Sequence, residues 1–202
     1  MTNSWPIKAL TTRRLGKRQV RWLITLVIGV IIIYVWPLLQ SSLTGVPAAN
    51  SPSRYYVTRV YDGDTIEVTM NGTPEKIRLI GIDTPETHDP DTPAQCYGEH
   101  ASQATTDALL HTSVRLEADP TGDNRDRYDR LLRYVFTSDE TLWNKELITR
   151  GEAFAYISFP FVRKVEFMTA QFEAAREKRG LWSACETSEK NGRWRTNSVG
   201  ES

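Results

Sequence analysis

The sequence predicts an α+β domain built on five short strands, joined to an apolar N-terminal segment of different chemistry. Three observations carry this reading. Three β-branched, aromatic or alternating runs succeed one another between residues 55 and 82. Two more alternating runs fall at 113–118 and 132–136, and three segments repeat apolar residues at helical spacing. A chain of 202 residues with 40% apolar and 10% aromatic content can bury a core, which excludes wholesale disorder, and its length suits one domain with attachments.

In chain order, residues 1–21 form a basic tail. The first fifty residues hold Lys8, Arg13, Arg14, Lys17, Arg18 and Arg21 and no acid, so 19 basic residues face 25 acidic ones beyond them. The formal balance of zero therefore hides an acidic domain behind a basic tail. Trp22 to Leu39 is uncharged over 18 residues. As a helix it would rise roughly 27 Å, close to a hydrocarbon core of about 30 Å. Trp22, Tyr34 and Trp36 stand near its ends, where amphipathic rings favour the interface. Because the basic residues precede it, the tail is expected in the cytoplasm and the rest of the chain across the membrane. Two readings share that topology: an uncleaved transmembrane anchor, or a signal peptide cleaved near Val46-Pro47-Ala48. Residues 40–53, with Ser, Thr, Gly, Pro and Asn, read as a linker.

Tyr55–Tyr61 reads as a first strand and Thr65–Thr69 as a second, with Ile66 and Val68 alternating against polar positions. Asn71-Gly72 signals a hairpin, and Lys76–Ile82 returns as a third strand, which makes a meander. Gly98–His111 reads as a helix through Ala101, Ala104, Ala108 and Leu109. Ser113–Ala118 and Leu132–Phe136 supply the fourth and fifth strands. Leu142–Arg150 is a short helix stopped by Gly151. Lys164–Arg179 is a longer one, with Val165, Met168, Phe172 and Ala175 on one stripe, stopped by Gly180. Residues 186–202 are polar and read as a loose tail. A five-stranded barrel of the OB type fits, although pattern alone does not select it over other five-stranded arrangements.

Two acidic clusters bracket the meander: Asp62-Gly63-Asp64-Thr65 between the first two strands and Asp83-Thr84-Pro85-Glu86 after the third. Taken alone, each is most simply a turn. Brought together, the carboxylates repel, and a hard cation resolves the repulsion; Ca²⁺ prefers carboxylates, backbone carbonyls and water. Arg78 shares a strand face with Ile80 and Ile82, where a charge needs an anion. Asp126-Arg127-Tyr128-Asp129-Arg130 adds a second arginine-bearing loop. Arginines beside a carboxylate-metal cluster offer planar donors to a phosphate whose charge grows during transfer.

These motifs, together with Arg78-Leu79-Ile80-Gly81-Ile82, Tyr97-Gly98 and Gly180-Leu181-Trp182-Ser183, stand in the order and spacing of the staphylococcal nuclease family, which the chain resembles over roughly residues 54–185. The resemblance implies an OB barrel with three helices and metal-dependent hydrolysis of DNA and RNA that leaves 3′-phosphates. It implies that Asp64, Asp83 and the Thr84 carbonyl hold Ca²⁺. Glu86 then positions or deprotonates the attacking water, and Arg78 and Arg130 hold the phosphate. Tyr128 lies near a substrate phosphate and Tyr156 beside the terminal base. A monomer is expected, with nucleic acid as partner and the membrane reached through the N-terminal segment. The competing class is a binding module of the same fold at the cell envelope; such a module would have lost the catalytic side chains that this sequence retains.

Three departures matter. Asp129 stands where a glycine usually precedes the second arginine, Ser158 replaces a base-contacting tyrosine, and Asp89 and Asp91 occupy a loop that is lysine-rich in the staphylococcal enzyme. The acidic domain weakens non-specific attraction to polyanions. The two cysteines read as free thiols in a cytosolic protein and can form one bond in an oxidising compartment. With the topology above and the family fold, Cys96 before the first helix and Cys185 after the last are expected to form a disulfide.

Overall fold

The computed structural model describes residues 53–87 and 93–199, together with 16–18, 21, 22 and 25–31. The chain divides into two units, Met1–Ser51 and Pro52–Ser202. In the first, residues 25–31 are helical, and Trp22, Leu26, Val27, Ile28, Val30 and Ile31 expose their side chains. Among the described residues no helix is long and apolar enough to cross a membrane. Much of the expected 22–39 span, all of the linker up to residue 52, and the loop carrying Asp89 and Asp91 lie outside the described residues.

The second unit is organised by a closed barrel. Strands β1 (Arg54–Asp62), β2 (Thr65–Met70) and β3 (Thr73–Leu79) form the expected antiparallel meander. Asn71 and Gly72, at φ 52° and 81°, make the two-residue turn that matches the strand twist. Strand β6 (Leu131–Phe136) lies parallel to β3, and β5 (Ser113–Glu117) closes the ring by pairing antiparallel with both β6 and β1. Inward residues from the five strands, including Val57, Ile66, Val68, Ile77, Val114 and Val135, are fully buried. Each such aliphatic side chain contributes about 1.5–3 kcal/mol by leaving water.

The third strand ends three residues earlier than expected. Gly81 adopts φ 74°, and a Cβ there would meet ring carbons of Phe161 at 2.8 Å. The chain therefore turns at Ile80–Gly81 and restarts as β4 (Ile82–Asp83), which pairs with β7 (Phe154–Ala155) outside the barrel. The turn interrupts strand alternation, so the expected common face of Arg78, Ile80 and Ile82 does not form. Ile77 and Leu79 fill the core while Arg78 points to the acidic clusters.

Among the described residues of this unit four helices cover the barrel rather than three. Helix α1 (Gly98–Leu109) buries Ala101 and Leu109, as its spacing predicts. Thr105 on its buried face donates to Gly63 O at 2.8 Å and accepts from Trp143 Nε1 at 3.2 Å. Helix α2 (Trp143–Arg150) ends at Gly151 in the left-handed region. Its fully buried Asn144 accepts from Val135 N at 2.9 Å and donates to Ile80 O and Arg133 O, tying α2 to β6 and to the turn after β3. Helix α3 (Lys164–Arg176) corrects the predicted stripe. Phe167, Ala170 and Ala174 are buried, whereas Val165 and Phe172 are 76% and 68% exposed and Met168 is also exposed. Both sets recur at helical spacing; the alanine-bearing face allows α3 to approach α2 and β7, and Phe167 packs on Phe161 and Tyr134. Helix α4 (Leu181–Ala184) is the single extra turn.

The expected loose tail is instead a hairpin. Strands β8 (Thr187–Lys190) and β9 (Arg193–Thr196) pair about Asn191-Gly192, both at positive φ. Trp194 anchors it, with ring centroids 5.2 Å from Trp182 and 6.2 Å from Phe154. Thr196 Oγ1 donates to Cys96 O at 2.8 Å, and Cys96 N donates to Asn197 O at 2.8 Å. Cys96 and Cys185 are joined by a disulfide with Cα atoms 5.9 Å apart, closing a separation of 89 residues. The chain-entropy relation gives at most about 4–5 kcal/mol for such a loop. The Cys96→Ser, Cys185→Ser double variant is therefore expected to lose on the order of 4 kcal/mol in urea unfolding. An unfolding midpoint equal to the wild type's would show that the bond adds no stability.

Candidate active site

The barrel topology brings the two acidic clusters together. Thr65 and Arg78 are register partners across β2 and β3, and Leu79 N donates to Asp64 O at 2.9 Å. One Arg78 nitrogen, Nη2, reaches Asp64 Oδ2 at 2.9 Å and Asp83 Oδ1 at 3.5 Å, while Nη1 donates to Leu79 O at 2.7 Å. Thr84 N donates to Asp64 Oδ2 at 3.2 Å, and Thr65 Oγ1 donates to Asp64 Oδ1 at 3.0 Å. Asp62 lies behind them, its Oδ1 accepting from Asp64 N at 3.0 Å. Asp64 and Asp83 are buried. Burial first, then the Asp64 charge, pushes the Asp62 carboxyl up to about 7. Burial also raises Asp83, against the opposing pull of Arg193. Three carboxyl groups thus crowd one wall of the site.

The donor set tests well for a hard cation. Asp64, Asp83 and the carbonyl of Thr84 are all oxygen donors of the kind Ca²⁺ takes. Among the described residues no cluster of three or more His, Cys, Asp or Glu side chains forms a metal cage. A cation here would therefore draw part of its shell from backbone carbonyls and water, as Ca²⁺ commonly does.

Arg130 arrives from the loop before β6. Its Nε and Nη2 donate to Asp126 Oδ2 at 2.8 and 2.7 Å, and Nη1 reaches Thr65 Oγ1 at 3.3 Å. Hydrogen bonds thus run from Asp126 through Arg130 and Thr65 to Asp64. Asp126 holds the arginine. Asp129 adopts φ 63°, a left-handed conformation suited to the glycine expected there, and its exposed carboxylate approaches Arg125 Nε at 3.5 Å. The Tyr128 ring lies 5.3 Å from the Arg130 guanidinium and is 64% exposed.

Glu86 is set by its backbone. Its N–H donates to Gln95 Oε1 at 3.1 Å, its carbonyl accepts from Gln95 N at 2.8 Å, and its Oε1 accepts from Thr87 N at 3.0 Å. Tyr156, tied by its N–H to Gly81 O at 2.8 Å, sits edge-to-face with Phe159. Asp64, Arg78, Asp83, Thr84, Glu86, Tyr128, Arg130 and Tyr156 all line one cleft of about 800 Å³. Cys96 and Cys185 are not among its lining residues.

Two residues in the cleft escaped the sequence reading. Arg193 of β9 grips Asp83 with two bonds, Nε to Oδ2 at 2.7 Å and Nη2 to Oδ1 at 2.9 Å; only the Asn191-Gly192 turn signal could have drawn attention to its hairpin. Asp119 is buried and accepts from Tyr134 Oη at 2.6 Å, Val162 N at 2.8 Å, and Thr121 N and Oγ1 at 2.8 and 2.5 Å. Burial pushes its carboxyl up, but these bonds outweigh it and hold the group at about 2.

Fold and cleft together define a class: a closed five-stranded OB-type barrel with a carboxylate–arginine site where its meander ends. Residues 76–184 match the family model described as staphylococcal nuclease homologue. The chain is 37% identical to the thermonuclease of Staphylococcus hyicus over 171 residues, covering 83% of this chain and 99% of that protein. It is 42% identical to the thermonuclease of Staphylococcus intermedius over 129 residues, 63% of this chain and 75% of that one. It is 37% identical to endonuclease YncB of Bacillus subtilis over 127 residues, 62% and 59% respectively. The chain belongs to the staphylococcal nuclease homologue family.

Asp119 yields a pH prediction. Folding lowers its pKa, so its stabilising contribution is complete above the unfolded carboxylate range and is lost as pH falls from about 3.8 through about 2. Asp119→Asn should cost about 1–3 kcal/mol at neutral pH. The difference between variant and wild type should narrow as pH falls through that window. A difference that stays constant down to the bottom of the window would remove the charge from the explanation.

Proposed function

We propose that this protein is a calcium-dependent nuclease that hydrolyses phosphodiester bonds of DNA, RNA or both and leaves 3′-phosphates. The observation that carries the reading is the convergence of Asp64, Asp83, Glu86, Arg78 and Arg130 on one cleft in a member of a family whose matched relatives are named thermonucleases and endonucleases. Asp64, Asp83 and the Thr84 carbonyl would hold the ion, which when bound supplies positive charge to the phosphate and lowers the pKa of a bound water. Arg78 and Arg130 bind the non-bridging oxygens, where a planar fork fits a growing negative charge. Both guanidiniums are already directed into the cleft by carboxylates. Glu86 positions the attacking water or accepts its proton, its backbone held by the amide side chain and the N–H of Gln95. Tyr128 lies against a substrate phosphate and Tyr156 with Phe159 against a base, since every base has a face on which a ring can stack.

We further propose that residues 22–39 anchor the chain and that the catalytic domain lies outside the cytoplasm; the basic tail, the uncharged run and the single disulfide support this topology. The domain is proposed to act as a monomer.

Two experiments test these readings. Asp64→Ala is expected to abolish calcium-stimulated cleavage of plasmid and of RNA while the domain stays folded, because removing one carboxylate also relieves repulsion. Glu86→Gln, Arg78→Lys and Arg130→Lys are each expected to lower the rate by more than about tenfold, and near-normal turnover in any of them would strike that residue from the list. For topology, a reporter fused after Ser202 should be active only if it works outside the cytoplasm, with the full-length chain in the membrane fraction. A soluble product lacking the first 48 or so residues would favour the signal-peptide reading.

A further inference from the structure

The hairpin β8–β9 lies beyond residues 76–184, where the family model matches, yet it reaches the cleft. Strand alternation sorts its side chains. Trp194 and Thr196 face the domain, Trp194 among Phe154 and Trp182 and Thr196 buried on Cys96. Arg193 and Arg195 therefore share the opposite face. Across the ladder Arg193 stands opposite Lys190 and Arg195 opposite Ser188, so within the two strands this face carries three cations and no acid, while Glu189 belongs to the other face and Glu186 lies one residue before β8.

The cationic face is aimed at the cleft. Arg193 and Arg195 both line it together with Arg78, Arg130 and Tyr156, and the Arg193 guanidinium lies 5.4 Å from the centre of the Tyr156 ring. Arg193 is paired with Asp83, but among the described residues neither Arg195 nor Lys190 has an ion-pair partner. The scaffold is stiff: the disulfide fixes the chain just before β8, and Val199 N to Ala94 O and Asn197 to Cys96 fix it just after β9. A charge-carrying strand held rigidly beside the cleft needs little ordering on binding. It stands out in a domain that is otherwise acidic beyond residue 50.

We propose that the C-terminal hairpin is a substrate-binding element, its Lys190, Arg193 and Arg195 gripping the phosphodiester backbone of a single-stranded nucleic acid as it leaves the cleft past Tyr156. This rests on the reading of the cleft as a phosphodiester site. Residues two apart on a strand stand roughly 6.6 Å apart, so Arg193 and Arg195 reach different points along one strand. Arg193, the innermost, neutralises Asp83 while the cleft is empty of substrate and becomes a backbone contact when a phosphate offers a better-placed anion.

The test is the salt dependence of binding. Full-length protein carrying Glu86→Gln is titrated, with a chelator present, against a fluorescein-labelled single-stranded oligodeoxynucleotide at several salt concentrations. Each phosphate contact to a single strand contributes about 0.7 to the log–log slope. Arg195→Ala should flatten the slope by about 0.7, and the Lys190→Ala, Arg195→Ala pair by about 1.4. In otherwise wild-type enzyme the pair should raise KM roughly tenfold, with the greater part of the loss in KM rather than kcat. A slope and KM unchanged in the double variant, while Arg130→Lys lowers the cleavage rate more than about tenfold, overturns the proposal and leaves the cleft assignment standing. Cleavage at wild-type rate by both Arg130→Lys and Glu86→Gln would instead overturn the cleft assignment, and this proposal with it.

Discussion

Arg78 is the constraint on which the site depends. The register of β2 with β3 places it opposite Thr65, and its guanidinium then meets Asp64, Asp83 and the Leu79 carbonyl at once. Without a cation there, two buried carboxylates and the half-buried Asp62 would face one another in a wall of low dielectric, where like charges are costly. Burial raises Asp62 and Asp83, and the Asp64 charge adds to both shifts. Removing the guanidinium would leave charges uncompensated, an expensive change in any buried ion cluster. The same register fixes Thr65, through which Arg130 is coupled to Asp64. One pairing of strands thus places both Arg78 and the hydroxyl that links Arg130 to Asp64.

Much of this was legible in the sequence because its signals are local. Alternation around Ile66 and Val68, the Asn71-Gly72 turn and the Asp-Gly-Asp-Thr motif each need only a few neighbouring residues to be read. Errors arose where a distant packing partner decided the outcome. The strand through Ile82 looked continuous, and only the Phe161 ring against Gly81 shows why the chain must turn there. Helix α3 carries two apolar stripes at helical spacing, and periodicity cannot say which one its neighbours will accept. The Asn191-Gly192 turn repeats the earlier signal, but its flanking strands are short and polar, so the pattern looked like a tail. The pairing of Arg193 with Asp83 spans 110 residues and leaves no mark on the local sequence.

The electrostatic picture is also uneven in a way that net charge conceals. The acidic surplus beyond residue 50 argues for weak long-range attraction to a polyanion. The cleft nevertheless concentrates Arg78, Arg130, Arg193 and Arg195 around its carboxylates. Attraction of this kind acts at short range, within about a Debye length of 8 Å at physiological salt. Such a surface favours contacts made after encounter over steering before it.

The disulfide has one more consequence, for the hairpin it borders. Arg193 lies only eight positions beyond Cys185, in a hairpin that is paired along its length and pinned at both ends. Its guanidinium is therefore a built-in counter-ion of Asp83, present at the carboxylate whatever the bulk solution holds. Any free cation that takes the carboxylate must displace a rival that belongs to the same molecule.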